Sequence, residues 1–186
     1  MSRAARTLSP TGLYHVTSRA IKPLRLFQDA VDCAIFRDAL ALTHSEDGPR
    51  ILAYCLMGTH FHLVLRAEGN VLPRSMGRLK GWYAHKLNRR RSRTGPVFDQ
   101  RYHAVALATE SHACAAVVYL AVNPVRAGIC ARPELWPFGS HRAHAGLEPC
   151  PPWLEPVNEL GWFQTADSYG KAVDHAVAQI GSSLLA

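Results

Sequence analysis

The chain of 186 residues carries a formal net charge of +7, and 48% of its residues are hydrophobic. That length suits one domain with a sizeable core and is too short for a barrel of eight strand-helix units, while the hydrophobic share excludes a disordered chain. No apolar run reaches the roughly 18 residues that a membrane span needs, and residues 1–12 lack the apolar stretch of a secretory signal. We therefore expect a cytoplasmic protein with no membrane partner.

The first part of the chain has the pattern of a strand, a helix and a pair of strands. Residues 12–20 predict a strand and residues 29–43 a helix. Residues 51–57 are apolar at both odd and even positions, as in a central strand that is buried on both faces. Residues 60–67 follow the turn GT and are predicted to be its antiparallel partner. Four apolar side chains of the predicted helix share one of its faces: Val31, Ile35, Ala39 and Leu42.

A second, basic helix over about 72–91 and a fourth strand over 95–107 complete the pattern. The resulting order is strand, helix, strand, strand, helix, strand. This order is typical of a ferredoxin-like sandwich, in which two helices cover one face of an antiparallel sheet. The predicted fold class is therefore α+β.

Two further segments accompany this core of about 12–128. A third helix begins after Thr109, a residue type that caps helix N-termini, and we expect Pro124 to stop it. Residues 129–186 form a proline-containing extension, for which we predict an irregular wrap with a short final helix over about 168–180. We assign residues 1–186 to a single domain.

The positive charge is concentrated between Arg74 and Arg101, where nine basic residues stand against the single acid Asp99. The rest of the chain holds 12 basic and 13 acidic side chains, so the net charge comes from this one stretch. Such a stretch suits a phosphate backbone, and its rings could stack on unpaired bases; a solvated helix face is the alternative. The candidate DNA-binding residues are Arg78, Lys80, Trp82, Tyr83, Lys86, Arg89, Arg90, Arg91, Arg93 and Arg101.

Two histidines, His60 and His62, lie in the predicted strand 60–67. Because side chains alternate along a strand, both imidazoles point to one side, away from Phe61 and Leu63. The helices of the sandwich must cover the apolar side, so we expect the histidines on the less covered face. At this spacing they are close enough to share one metal ion, although a hydrogen-bonded polar pair beneath a loop is the other interpretation.

A metal beside a nucleic-acid surface suggests phosphoryl transfer, which needs a nucleophile. Tyr119 lies in the third helix with Asn123 one turn later, on the same helical face. A tyrosine can attack a phosphodiester when a cation neutralises the developing charge, and the amide oxygen could help to coordinate that cation. A tyrosine packed in the core is the alternative, and Asn123 precedes a proline, which disfavours the helical region.

Three motifs, in order along the chain, resemble one known family. YCLMGTHFHLVLRA (54–67) resembles the HUH motif, two histidines around one hydrophobic residue, of the single-tyrosine HUH transposases. GWYAHKLNRRRSRTGPVFDQRYHAV (81–105) resembles the helix-to-strand passage of the REP-associated tyrosine transposases, the bacterial branch linked to repetitive extragenic palindromes. VVYLAVNPVRAGIC (117–130), followed by WPFGSHRAH (136–144), resembles that branch's nucleophile helix and the segment after it.

The resemblance implies the HUH endonuclease fold and an enzyme that cuts single-stranded DNA. The tyrosine would remain on the 5′ phosphate and leave a free 3′ hydroxyl, so that the strand can be resealed or transferred without ATP. By position, His60 and His62 are the metal ligands, Tyr119 is the nucleophile and Asn123 lies beside the metal, which would be Mg²⁺ or Mn²⁺. The expected partner is single-stranded or hairpin-forming palindromic DNA, bound by a monomer or a homodimer in the bacterial cytoplasm.

The chain departs from the family pattern at two places. Gly58 and Thr59 stand where members often have Pro-Asn, and Arg91 stands where a histidine is common. Neither departure removes a group assigned above. Two other functions stay open: a domesticated relative that binds DNA hairpins without cutting them, and a small-molecule metal hydrolase, which would leave the basic stretch unexplained.

Overall fold

The computed structural model describes residues 9–44 and 47–183 of the chain. Within these ranges no helix is both long and apolar enough to cross a membrane. The prediction about a secretory signal concerns residues 1–12, of which residues 1–8 lie outside the described ranges. The elements, in chain order, are β1 (Leu13–Arg19), α1 (Ala30–Thr43), β2 (Arg50–Met57), β3 (His60–Arg66), α2 (Val71–Arg90), β4 (His103–Ala106), α3 (Glu110–Arg126), a 3₁₀ turn (Pro133–Leu135), α4 (His141–His144) and α5 (Ala166–Ser183).

The four strands form one antiparallel sheet in the order β2-β3-β1-β4. Helices α1 and α2 pack side by side on one face of this sheet, and α3 packs on the other. Both the order of elements along the chain and the order of strands in the sheet are those of a ferredoxin-like sandwich. The predicted α+β fold class is confirmed.

Strand β3 presents apolar side chains to one side of the sheet and its histidines to the other. Phe61, Leu63 and Leu65 belong to the core beneath α1 and α2 and are at most 1% exposed. His62 and Val64 point to the opposite side, where Val64 joins a second core with α3 and α5. The predicted direction of the histidines is confirmed, but this face is covered as well, because His62 is only 8% exposed.

Helix α1 buries only part of the predicted face, since Ala39 is 1% exposed and Ile35 packs against the core. Its N-cap is Asp29, whose side chain accepts a hydrogen bond from the Asp32 backbone N–H. Phe36 is fully buried, and its ring lies 4.7 Å from that of Phe61. Val31 and Leu42 are instead 52% and 55% exposed. The predicted face is therefore correct at Ile35 and Ala39 and wrong at Val31 and Leu42, because the helix is turned so that Phe36 meets Phe61.

Strand β4 contains four residues, whereas the prediction covered 95–107. Gly95 has a positive φ of 90°, and Pro96 has no N–H to donate to a strand partner. Residues 97–99 then run as a loop that touches the end of β1 through one isolated bridge, between Phe98 and Ala20. The predicted strand is therefore confirmed only at its C-terminal end.

Helix α3 begins after Thr109, whose side chain accepts from the His112 N–H, as the sequence predicts. The expectation that Pro124 stops the helix was wrong, since α3 continues through it to Arg126. A proline in this position removes one hydrogen-bond donor, but its fixed φ is compatible with a helix. The helix ends two residues later, where Gly128 adopts a φ of 66° and donates to the Val125 carbonyl.

The segment after Gly128 covers the outer edge of β2 and the free side of α3. The Leu56 N–H donates to the Phe138 carbonyl at 2.8 Å, and the Ser140 N–H donates to the Tyr54 carbonyl at 2.9 Å. Because these bonds use groups of an edge strand, they close an edge that would otherwise be open. The final helix, α5, packs against α3. It has 18 residues and is therefore longer than predicted. The single-domain assignment stays a prediction.

His144 makes the stability of the fold dependent on pH. Its Nε2–H donates to the Leu52 carbonyl at 2.9 Å, and burial lowers the pKa of its imidazole to about 4. Below the unfolded-state value of 6.5 the unfolded chain therefore binds a proton that the folded chain does not. We expect this residue to lower the free energy of unfolding by on the order of 1 kcal/mol per pH unit as the pH falls from about 6.5 towards about 4.

Urea unfolding followed by circular dichroism at pH 7, 6 and 5 measures this dependence. The variant His144→Gln should lose stability less steeply than the wild type over this range. Some slope should remain, because burial also lowers the pKa of His141. Equal slopes for the two proteins would contradict the assignment.

Candidate active site

One cavity of about 270 Å³ brings together all four residues that the sequence assigns to the chemistry. Its lining comprises Thr17, Ser18 and Arg19 of β1, His60 and His62 of β3, and Tyr119 and Asn123 of α3. The two histidines are on a strand and the other two candidates are on a helix that crosses the same sheet face.

Strand register and helix periodicity position these groups. In the antiparallel pairing of β1 with β3, Thr17 lies opposite His62 and Arg19 lies opposite His60. Paired residues point to the same face, so Arg19 stands beside the two imidazoles. Tyr119 and Asn123 are four residues apart and therefore lie one above the other on the side of α3 that faces the sheet. Pro124 does not disturb this alignment, because the helix continues through it.

The two imidazoles are close to each other and to the tyrosine. The ring centroids of His60 and His62 are 5.0 Å apart, and those of His62 and Tyr119 are 6.1 Å apart. Burial, and after it the nearby His15 and His60, lowers the pKa of His62 to about 3; burial also lowers the pKa of His60. Both rings are therefore neutral near pH 7, which is the form that binds metal ions.

His15 of β1 is a member of this cluster that sequence reasoning missed. Its Nε2 and the Nδ1 of His62 share a hydrogen bond of 3.0 Å, and the two rings stack with centroids 5.2 Å apart. This bond fixes the orientation of His62 and leaves its Nε2 as the nitrogen available to a ligand. Partners of this kind commonly orient metal-binding histidines. The sequence pattern that could have revealed His15 is the alternation of side chains along β1, which places His15, Thr17 and Arg19 on one face.

Asn123 completes a set of donors that fits a divalent metal. It is 8% exposed, and among the described residues its Nδ2 has no hydrogen-bond partner. An amide can be turned to present its oxygen instead. No group of three or more His, Cys, Asp or Glu side chains in the described ranges is arranged to hold a metal. A bound ion would therefore take two imidazoles and one amide oxygen, and complete its coordination with water and phosphate oxygens.

The structure divides the predicted DNA-binding residues into those exposed at the surface and those whose side chains are bound to other parts of the protein. Tyr83 is fully buried, and its hydroxyl donates to the Leu26 carbonyl at 2.7 Å, so its predicted stacking role was wrong. Arg90 and Arg91 both bind the carboxylate of Asp32, whose side chain has no exposure. These two arginines hold α2 against α1, which also corrects their predicted role as free phosphate ligands.

The other basic residues keep more of their surface. Lys80 donates to the Gln100 carbonyl, and burial lowers its pKa to about 8. Arg93 bonds to Asn88, and the ammonium group of Lys86 lies over the half-buried Trp82 ring at 5.1 Å. Lys86 is exposed, and so are three further predicted residues: Arg78, Arg89 and Arg101.

The structure does not place the basic helix beside the cavity. Helix α2 packs on the Phe61 face of the sheet, whereas the cavity opens on the His62 face. The cavity has its own cations, which the sequence reasoning also missed. Arg19 lines it, and the guanidinium of Arg126 lies 5.8 Å from the Tyr119 ring centroid.

Two solved structures align with the chain. The structure of a REP-associated tyrosine transposase bound to a REP hairpin aligns with a TM-score of 0.66 at 19% identity, over 80% of this chain and 89% of that chain. The chain has the fold of this transposase. A transposase candidate from Deinococcus radiodurans R1 aligns with a TM-score of 0.44 at 19% identity, over 60% of this chain and 91% of that chain. No protein-family model and no curated protein matches the chain. The resemblance predicted from the three motifs is thus confirmed for the fold.

Two pairs of arginines on α2 should behave differently when their charge is removed. The double variant Arg90→Ala/Arg91→Ala leaves the buried Asp32 carboxylate unpaired and should lower the free energy of unfolding by about 3 to 5 kcal/mol. The matched variant Arg78→Ala/Arg89→Ala removes the same charge from exposed positions and should change it by about 0.5 kcal/mol or less. Urea unfolding measures both. Similar losses in the two variants would mean that the Asp32 ion pairs do not hold α1 against α2.

Proposed function

We propose that this chain is a metal-dependent single-stranded DNA endonuclease and strand transferase of the REP-associated tyrosine transposase family. The observation that supports this most is the convergence of Tyr119, Asn123, His60 and His62 on one cavity. The fold gives further support, because the transposase that shares it is bound to a REP hairpin. We infer that the substrate is a hairpin-forming palindrome of the same kind, with a single-stranded segment that reaches the cavity.

The proposed reaction uses the tyrosine as nucleophile. The Tyr119 oxygen forms a bond to the scissile phosphorus, and the bond from phosphorus to the 3′ oxygen breaks. The phenol releases its proton to solvent, and the 3′ oxygen takes one up. Tyr119 is 38% exposed, so a DNA strand can reach it without opening the core. Because the phosphodiester bond is exchanged for a phosphotyrosine, a 3′ hydroxyl can reverse the reaction without ATP.

The donor set supports metal dependence. His60, His62 and Asn123 would hold Mg²⁺ or Mn²⁺, and the bound ion would supply positive charge against the oxygens of the scissile phosphate. Burial keeps the two imidazoles neutral at pH 7, and a hydrogen bond donated by the His62 Nδ1–H to the Nε2 of His15 would orient His62 with its Nε2 free for the metal. Arg19 supplies a fixed cation in the same cavity.

For the remaining DNA contacts we propose the exposed part of the basic stretch. Arg78, Arg89 and Arg101 can reach phosphates, and Trp82 with Lys86 above it can meet a base or sugar. Because these residues lie across the sheet from the cavity, we assign them to the hairpin and the cavity to the single strand.

The covalent adduct is the first test. With Mg²⁺ or Mn²⁺, the wild type should nick a hairpin-bearing oligonucleotide and retain the 5′ end of one fragment on the protein, because the nucleophile is a side chain. Tyr119→Phe removes only the hydroxyl and should abolish the adduct, while its affinity for the hairpin stays within about twofold of the wild type. Denaturing gels and anisotropy measure the two quantities. An adduct formed by Tyr119→Phe would show that the nucleophile is misassigned, and a wild type that binds but never cuts would favour the domesticated hairpin-binding alternative.

Variants of the two histidines should lose metal affinity but keep most of the stability of the fold. His60→Ala and His62→Ala should each weaken the binding of Mn²⁺, measured by calorimetry without DNA, by at least about tenfold and suppress cleavage, while most of the stability remains. The control Phe61→Ala removes a fully buried ring from the intervening position and should cost about 3 to 5 kcal/mol. Histidine variants that unfold as readily as Phe61→Ala, or that bind Mn²⁺ like the wild type, would overturn the metal assignment.

A further inference from the structure

A second cavity, of about 610 Å³, lies between α3 and α5 and also has Tyr119 in its lining. Tyr119 therefore borders both this groove and the cavity that holds the histidines. The groove is not needed by any step proposed above. Its volume falls within the range of about 300 to 1,000 Å³ that ligand sites usually have.

The floor of the groove is apolar and its only charged group is a cation, among the residues that the structure describes. Val118 and Val122 of α3 and Ile180 of α5 form apolar walls, and all three pack against the second core. The polar residues in the described lining are Arg126, His175 and Gln179, besides Tyr119, and none of them is acidic. An apolar floor beneath a permanent cation matches a ligand that has both a flat apolar part and a negative charge.

The position of the groove beside Tyr119 narrows the choice of ligand. If the scissile phosphate lies at Tyr119, the nucleotides joined to that phosphate must leave the active site along neighbouring surfaces. One such surface is this groove, which begins at the same tyrosine. Arg126 lies 5.8 Å from the Tyr119 ring centroid and exposes its side chain at the groove, so it can meet a phosphate or the edge of a base. Single-stranded DNA is bound by just this combination of apolar or aromatic contact with bases and positive charge on the backbone.

We propose that the groove between α3 and α5 binds the unpaired nucleotide that adjoins the scissile phosphate, with its base against Val118 and Ile180 and its backbone at Arg126. The proposal rests on the proposed function, in that it takes Tyr119 as the point of cleavage. It assigns to α5 a role in holding the substrate beside the nucleophile.

The experiment uses two probes and the full chain without metal. One probe is a ten-nucleotide oligodeoxythymidylate, and the other is an abasic strand with the same number of phosphates; anisotropy measures their affinities at fixed salt. The groove-filling variant is Ala115→Leu/Ala176→Leu, which narrows the groove from both helices, at one exposed and one half-buried position, and adds no aromatic ring. Ala41→Leu, an exposed position on α1, is the matched control.

The two kinds of contact should respond separately. The groove-filling variant should bind the thymidylate about 5- to 100-fold more weakly, and the abasic strand as the wild type does, because only the base is excluded. Arg126→Gln should weaken both probes, and Ala41→Leu should weaken neither. A groove-filling variant that binds thymidylate like the wild type overturns the proposal.

The outcome is distinguishable from failure of the proposed function. If the wild type forms the tyrosine adduct and groove filling has no effect on thymidylate, the function stands and the groove assignment is wrong. If groove filling weakens thymidylate but no adduct forms on any hairpin, the groove binds single-stranded DNA in a protein that does not cut it.

Discussion

The antiparallel register of β1 with β3 is the constraint on which the candidate site depends. It places Thr17 opposite His62 and Arg19 opposite His60. It also brings His15, on the neighbouring strand, within hydrogen-bond distance of the His62 imidazole. A slip of one residue would turn the histidines towards α1 and α2 and the apolar side chains towards the cavity. The burial of Phe61, Leu63 and Leu65, worth roughly 2 kcal/mol or more each, prevents that slip. The burial of these apolar side chains thus stabilises the positions of the polar groups on the opposite face of the sheet.

A second constraint lies on the opposite face of the sheet. Asp32 is buried at the start of α1, accepts a hydrogen bond from the Gln28 N–H and binds both Arg90 and Arg91 at the end of α2. The charge of the basic stretch is therefore not all available to a ligand, since part of it neutralises carboxylates of α1. Arg91 is also one of the two places at which the sequence departs from the pattern of the family that it resembles. An arginine there is accounted for by the buried carboxylate and by its bonds to the Arg25 and Leu26 carbonyls.

Features that depend on local pattern could be predicted from the sequence, and features that depend on distant partners could not. The alternation of β3, the N-cap of α3 and the spacing of Tyr119 and Asn123 are properties of short segments, and each is present in the structure. The face of α1 was only partly predicted: periodicity groups Val31 and Leu42 with Ala39, but the contact of Phe36 with Phe61 turns the helix so that Ala39 alone of these three is buried. The partners of His15 and of Asp32 are 47 and 58 or more residues away, so no single-segment pattern could reveal them. Tyr83 was misassigned for the same reason: its hydroxyl bonds to a carbonyl 57 residues earlier.

The electrostatics of the cavity follow from its burial. Burial lowers the pKa of His15, His60 and His62, so three imidazoles stand together without contributing charge near pH 7. Removing them from water is tolerable only in this neutral form, in which His15 and His62 can share one proton through their hydrogen bond. The permanent positive charge of the region then belongs to Arg19 and Arg126, on either side of Tyr119. Neutral nitrogens and a buried amide are suited to hold a cation. Under the proposed function, the protein would therefore contribute ligands and orientation, and a bound metal would add its positive charge to that of the two arginines.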